Sequence, residues 1–341
     1  MPFACAVLAA CALETSIQSA PATITGDALQ VVGTITAGKS PDAMAITPNG
    51  NYVYVDNYGS GTVSVINALL NKVSTTIPIP SSSGPTGIVI TSDGSTAFVL
   101  ADRIFVISTA TNQILKTIPS APSSRTGVPS FWNGLGVTPD GTQLYVSNFN
   151  GTVSIINVAT GQIENTLKVG YNAFAVAISP DGKSAYVKAV ADEGPFYLTK
   201  IDVASQTIEL PQFGAGLYNY GISALVVSPD SQTVYVAEAE NSVLALNADT
   251  GNQEFRVRLS SQPQLGGLQV SPSGKSLYVV ENSANAVATI NTPRGTQVGT
   301  LVTVGNGPDS VVISGRWLYV LNTNPGTRRN RGSVSIIHIT H

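Results

Sequence analysis

Apolar and polar residues alternate along most of this chain in short runs, each bounded by a turn signal. "GTVSVIN" (61–67), "GTVSIIN" (151–157), "NSVLALN" (241–247) and "GSVSIIH" (332–338) are alternating runs of this kind, with the period of a half-buried β-strand. Apolar runs such as "AVAIS" (175–179) lead instead into Pro-Asp-Gly, a tight-turn signal, and then into a second strand such as "SAYV" (184–187). A Gly- or Asn-rich turn joins that strand to the alternating one. A second turn, of the type "ATGQ" (159–162), leads to a fourth strand such as "IENTLKV" (163–169). No helix of useful length can be read.

This four-strand unit recurs. "TPNGNYVYV" (47–55), "TSDGSTAFV" (91–99), "TPDGTQLYV" (138–146), "SPDGKSAYV" (179–187), "SPDSQTVYV" (228–236), "SPSGKSLYV" (271–279) and a shortened "SGRWLYV" (314–320) mark seven copies. Four antiparallel strands repeated at a period of roughly 45 residues predict an all-β, seven-bladed β-propeller. The last copy stops after its third strand. "LQVVGTITAG" (29–38) reads as a fourth strand with no copy before it, and it matches "TQVGTLVTVG" (296–305). Pairing that strand with the last copy closes the ring and covers an edge that would otherwise stay open. The sequence thus divides into a leader, 1–28, and a single propeller, 29–341.

The units, with Pro-Asp-Gly, then Tyr-Val-x-Asn as in "YVDN" (54–57), "YVSN" (145–148) and "YVLN" (319–322), then "TVSVIN", resemble the YVTN family of propeller repeats. The resemblance covers residues 29–341. It implies a surface-layer or exported protein of bacterial or archaeal type, in a superfamily that holds both binding proteins and relatives of lactonases. The Gly-His and Trp-Asp signature of WD-type propellers is absent.

Composition narrows the function. Charged residues make up 11% of the chain and hydrophobic ones 43%, a weakly charged surface closer to an exported β-protein than to a cytoplasmic enzyme. A net charge of -3 offers no electrostatic hold on nucleic acid. The one basic run, Arg328, Arg329 and Arg331, sits in a Gly/Pro/Asn turn. Both cysteines, Cys5 and Cys11, lie in the apolar leader "FACAVLAACAL" (3–13), which has signal-peptide length but lacks a preceding basic residue. "LAAC" (8–11) also resembles a lipobox, which would make Cys11 a lipid anchor. Secretion, a periplasmic home or the cell surface is therefore expected, with no transmembrane segment. His338 and His341 are the only histidines, so no histidine triad or haem ligation is expected. No cofactor is expected, and neither is a metal; a monomer is.

Candidate site residues come from two loop sets that share one face of the ring. Among the loops leading into the inner strands, those of units three to five carry Phe131, Trp132, Asn133, Tyr171, Asn172, Tyr218, Asn219 and Tyr220. These suit a small molecule, a glycan or a protein partner, or they pack among themselves as a plug. The second-strand ends bring Arg103, Asn148, Lys188, Glu238, Glu281 and Asn322. The amides are expected to brace turns. Glu238 and Glu281 replace them in neighbouring units, either as solvated turn residues or as a carboxylate pair near the axis. Two functions stay open: a binding scaffold, or a lactonase, isomerase or lyase using Glu238 and Glu281, with Arg103 or Lys188 polarising a carbonyl.

Overall fold

The computed structural model describes residues 28–119, 134–191, 194–214, 221–238, 241–259, 264–324 and 331–340. All described strands fall into seven four-stranded antiparallel sheets. They form blades 1 to 7 at 41–78, 87–119, 135–168, 172–213, 222–258, 265–303 and 308–340, the last completed by 28–39. The first strand, Ala28–Lys39, lies antiparallel to the last, Arg331–Thr340, with Leu29 opposite Ile339 and Ile35 opposite Val334. Ring closure by the N-terminal strand is therefore as the sequence predicts.

The repeated Tyr-Val pair has a packing reason. Neighbouring side chains on a strand point to opposite faces, and here each face of a blade meets a different neighbour. Tyr54 packs with Val63, Ile88, Val99 and Phe105 between blades 1 and 2, whereas Val53 and Val55 pack with Ile35, Tyr319 and Ile336 between blades 7 and 1. Seven such apolar layers are present, one at each blade boundary. A stacked ring needs the same large-and-small alternation at every junction, so the chain repeats it.

The tyrosine hydroxyls differ in how they end. Tyr54 Oη donates to Asn112 Oδ1 at 2.6 Å and Tyr186 Oη to the Ala248 carbonyl at 2.9 Å, each a tie to the next blade. The Tyr145 hydroxyl is buried and has no partner among the described residues. Tyr54→Phe should therefore lower stability by about 1 kcal/mol, because it strands the half-buried acceptor of Asn112. Tyr145→Phe should cost nothing or stabilise. Urea melts of the two variants check this, and equal losses would refute it.

Candidate functional site

In each blade the inner strand begins, and the second strand ends, on the same face. The repeat asparagines sit there and are sealed in: Asn57, Asn148 and Asn322 are 0%, 5% and 0% exposed. Their Nδ2 atoms donate to Ser64, Ser154 and Ser335 hydroxyls, each at 3.0 Å. Those serines lie on the third strand opposite the repeat valines Val55, Val146 and Val320. The amide thus locks the second strand to the third, and Asn57 also receives the Gly38 amide at 2.8 Å. Asn148 and Asn322 brace strands and do not line an open surface.

The same register accounts for the two glutamates. In blades 5 and 6 the residues opposite Val236 and Val279 are Leu244 and Ala288, so the serine partner is gone where the amide is gone. Asn and Ser are exchanged as a unit. Glu238 and Glu281 are 4% and 2% exposed, which replaces the solvated-turn expectation with burial at strand ends. Glu238 Oε1 meets Arg256 Nη2 at 3.1 Å, across its own blade on the outer strand. Its charge is compensated inside the fold. Arg103, in blade 2, is half-exposed and pairs with Asp102 at 3.3 Å. Partial burial opposes ionisation of Asp102, but hydrogen bonds from Ser82, Ser81 and Arg103 outweigh it and bring its pKa to about 2.

Two charged groupings stand out on this face. The first joins blades 7 and 1. Asp42 and Asp309 follow the matching prolines Pro41 and Pro308 at the start of their inner strands, where a bulge interrupts the ladder in each blade. Behind Asp42, the fully buried Asp56 receives the bulge amides of Asp42 and Ala43 on Oδ1 at 3.1 and 2.8 Å. Its Oδ2 has no partner among the described residues. Asp42 and Asp309 are open to water, yet protein hems them in on most sides. Burial first, and then the charge of Asp309, raises the Asp42 pKa to about 7. Burial and the Asp42 charge push Asp56 well above the carboxylate range, and burial raises Asp309.

The second grouping lies in blades 3 and 4. The inner strand of blade 4, Asn172–Ile178, bulges between Ala173 and Val176, and blade 3 holds that bulge. Ser147 Oγ donates to the Phe174 carbonyl at 2.7 Å and accepts the Gly134 amide at 2.6 Å. A Cβ on Gly134 would sit 2.5 Å from that carbonyl, so only glycine allows the approach. The anchored Phe174 ring meets Phe149 edge-on at 6.2 Å and Phe196 at 5.9 Å. Over Phe174 and Phe196, at 5.2 and 5.1 Å from their centroids, lies Lys188 Nζ. All four residues are half-buried. Lys188 has no carboxylate or carbonyl partner among the described residues, and burial alone lowers its pKa to about 8. The Asn172 amide, with its nitrogen toward blade 3, donates to the carbonyls of Tyr171 and Phe149. Tyr171 is 47% exposed and borders a cleft of about 610 Å³ with Tyr197, Thr199, Pro211 and Gln212.

Residues 202–333, which take in blades 5 and 6 and the two inner strands of blade 7, match the family model described as outer membrane protein assembly factor BamB. Fold is what the remaining likenesses carry. The uncharacterized protein YwhL of Bacillus subtilis (strain 168) is 26% identical over 339 residues, covering 84% of this chain and 69% of its own length. Seven-bladed beta-propeller protein Rv1057 of Mycobacterium tuberculosis is 31% identical over 143 residues, 40% of this chain and 34% of its own length. Among solved structures, Kuenenia stuttgartiensis hydrazine synthase superposes with a TM-score of 0.71 at 20% identity, over 88% of this chain and 96% of that one.

Of the sequence-derived candidates, Phe131, Trp132, Asn133, Tyr218, Asn219 and Tyr220 lie outside the described residues, as do residues 1–27 of the leader with Cys11. His338 stacks on Trp317 at 4.6 Å, a packing contact. Sequence reasoning missed Phe149, Phe174 and Phe196. It also missed the pairing of Asp42 with Asp309, although both follow a proline in the lead-in segments "GKSPDAM" and "NGPDSVV", of units that ring closure makes neighbours. Among the described residues no His/Cys/Asp/Glu group is arranged to hold a metal, and no helix is long and apolar enough to cross a membrane.

Proposed function

We propose that the protein is a binding propeller of exported, YVTN-type character, which takes a ligand on the face where its inner strands begin, in the sector of blades 3 and 4. The observation that carries this reading is the Lys188 cluster. A cation resting on two half-exposed aromatic rings, without a counter-ion among the described residues, is a contact surface left incomplete. The exposed Tyr171 and its cleft belong to the same sector of blades 3 and 4. The burial of Glu238 and Glu281, and the ion pair Glu238–Arg256, speak for scaffold use and against a lactonase-type carboxylate pair. A home outside the cytoplasm fits the apolar leader and the description of the family matched by residues 202–333.

The test is a thermal-shift and ligand-observed NMR screen with sugars, lactones, small acids and short peptides. Any hit is repeated on Tyr171→Ala, on Phe174→Leu and on Leu69→Ser, the last an 87% exposed turn residue on the opposite face. Binding lost in the first two variants and kept in the third supports the reading. Hits sensitive only to Leu69→Ser overturn it, as does lactone turnover that Glu281→Gln abolishes.

A further inference from the structure

Given that this face binds ligands, the structure assigns Lys188 and its aromatic neighbours a ligand class: we propose that they form a site for a single carboxylate carried beside an apolar group. Three features of the cluster argue for it. Lys188 Nζ lies 5.1–5.2 Å from two ring centroids, so the rings replace part of its hydration without neutralising its charge. The quartet of Lys188, Phe149, Phe174 and Phe196 carries one positive charge. That suits a monoanion, whereas a phosphate dianion is held by several cations or a row of amides. The ring edges around the ammonium offer apolar contact for the carbon skeleton next to the carboxylate.

The fold also holds this amine ready. Phe174 is fixed by Ser147 and Gly134 from the neighbouring blade, and Phe196 packs partly into the layer between blades 4 and 5. Of the strands around Lys188, the second strand of blade 5 turns Glu238 to the same boundary as Val234 and Val236, and that carboxylate is paired with Arg256 at 3.1 Å. The inner strands Asn172–Ile178 and Ile222–Val227 contain no ionisable side chain. On the third strand, the Tyr197 hydroxyl donates to the Val169 carbonyl at 2.8 Å. Lys200 and Asp202 stand opposite Tyr186 and Ser184, toward the far end of the ladder from Lys188, and Lys200 pairs with Glu209 at 3.2 Å. Among the described residues Lys188 has no counter-ion, and a bound carboxylate would supply one. Binding stabilises the protonated amine and takes up protons near pH 8.

Calorimetric and NMR titrations of the intact protein with phenylacetate and with the peptide Ala-Ala-Ala-Phe test this. Phenylacetamide and the amidated peptide serve as neutral controls. Saturable binding is expected for a free acid and not for its amide, with affinity falling about fivefold between pH 8 and pH 9 as Lys188 loses its proton. Lys188→Met should weaken binding at least tenfold. Lys188→Arg should keep binding but lose the fall above pH 8, because arginine stays charged. Binding of phenylacetate alone makes the source a free small acid, and binding of the peptide alone makes it a chain terminus; each supports the shared chemistry. Equal binding of acids and amides overturns the assignment, and so does binding unchanged in a folded Lys188→Met protein. If neither acid binds while other ligands still map to this face, the carboxylate assignment falls and the binding propeller stands. If no ligand maps to the face, both fall.

Discussion

Deleting residues 28–39 is expected to abolish cooperative folding. The strand contributes Ile35 and Ala37 to the apolar layer between blades 7 and 1, and it supplies the ladder along Arg331–Thr340. Without it, that last strand becomes an open edge, ready to pair with other chains. The loss should exceed about 5 kcal/mol, the low end of a whole domain's stability. Urea unfolding and size-exclusion chromatography measure it. A broad, low-midpoint transition with soluble aggregates is expected, and a synthetic peptide of residues 28–39 should restore a sharp transition by adding the strand in trans. A truncated protein that melts like the full-length one would refute closure by this strand.

Replacing Asp42 by asparagine should stabilise the protein, by an amount that grows from about pH 4 and is complete above about pH 7. The Asp42 carboxyl titrates near 3.8 when unfolded and at about 7 in the fold, through burial and the facing Asp309. The folded chain therefore holds that proton more tightly than the unfolded chain. No penalty exists below pH 3.8, and stability is lost as pH rises through 7. Asp56 and Asp309, also raised, act in the same direction. Water at Asp42 screens the repulsion, so the gain for Asp42→Asn at pH 8 is put at roughly 1–2 kcal/mol and near zero at pH 4. Melting temperatures across pH 4–9 decide the matter. Parallel pH profiles for the two proteins would show that no repulsion exists at this mouth of the ring.

The propeller was legible because its signal is repetitive. A layer that must form at every blade boundary writes Tyr-Val again at each second strand, and the unmatched strands at the two ends expose the closure. The candidate site was legible only in parts. Compared only with Asn57, Asn148 and Asn322, Glu238 and Glu281 read as solvated turn residues or as a carboxylate pair near the axis. Their burial becomes intelligible once Leu244 and Ala288 are seen to replace the serines across the ladder, a correlation that lies one strand away in sequence. Phe149, Phe174 and Phe196 come from different positions of the repeat unit, and the bulge at Phe174 brings them together under Lys188. A bulge shifts register by local backbone geometry and leaves no periodic mark in the sequence.

Antiparallel closure also sets how the ring yields to force. Ala28 lies opposite Thr340, and the Thr340 hydroxyl donates to the Ala28 carbonyl at 3.0 Å, so the two ends of the seam are side by side. Tension applied between them loads the rungs of that ladder one after another, like opening a zip, and never all at once as in shear. Pulled between these two points, the propeller should open at low force from blade 7. Pulled between Ala28 and a turn of blade 4, it should resist far longer.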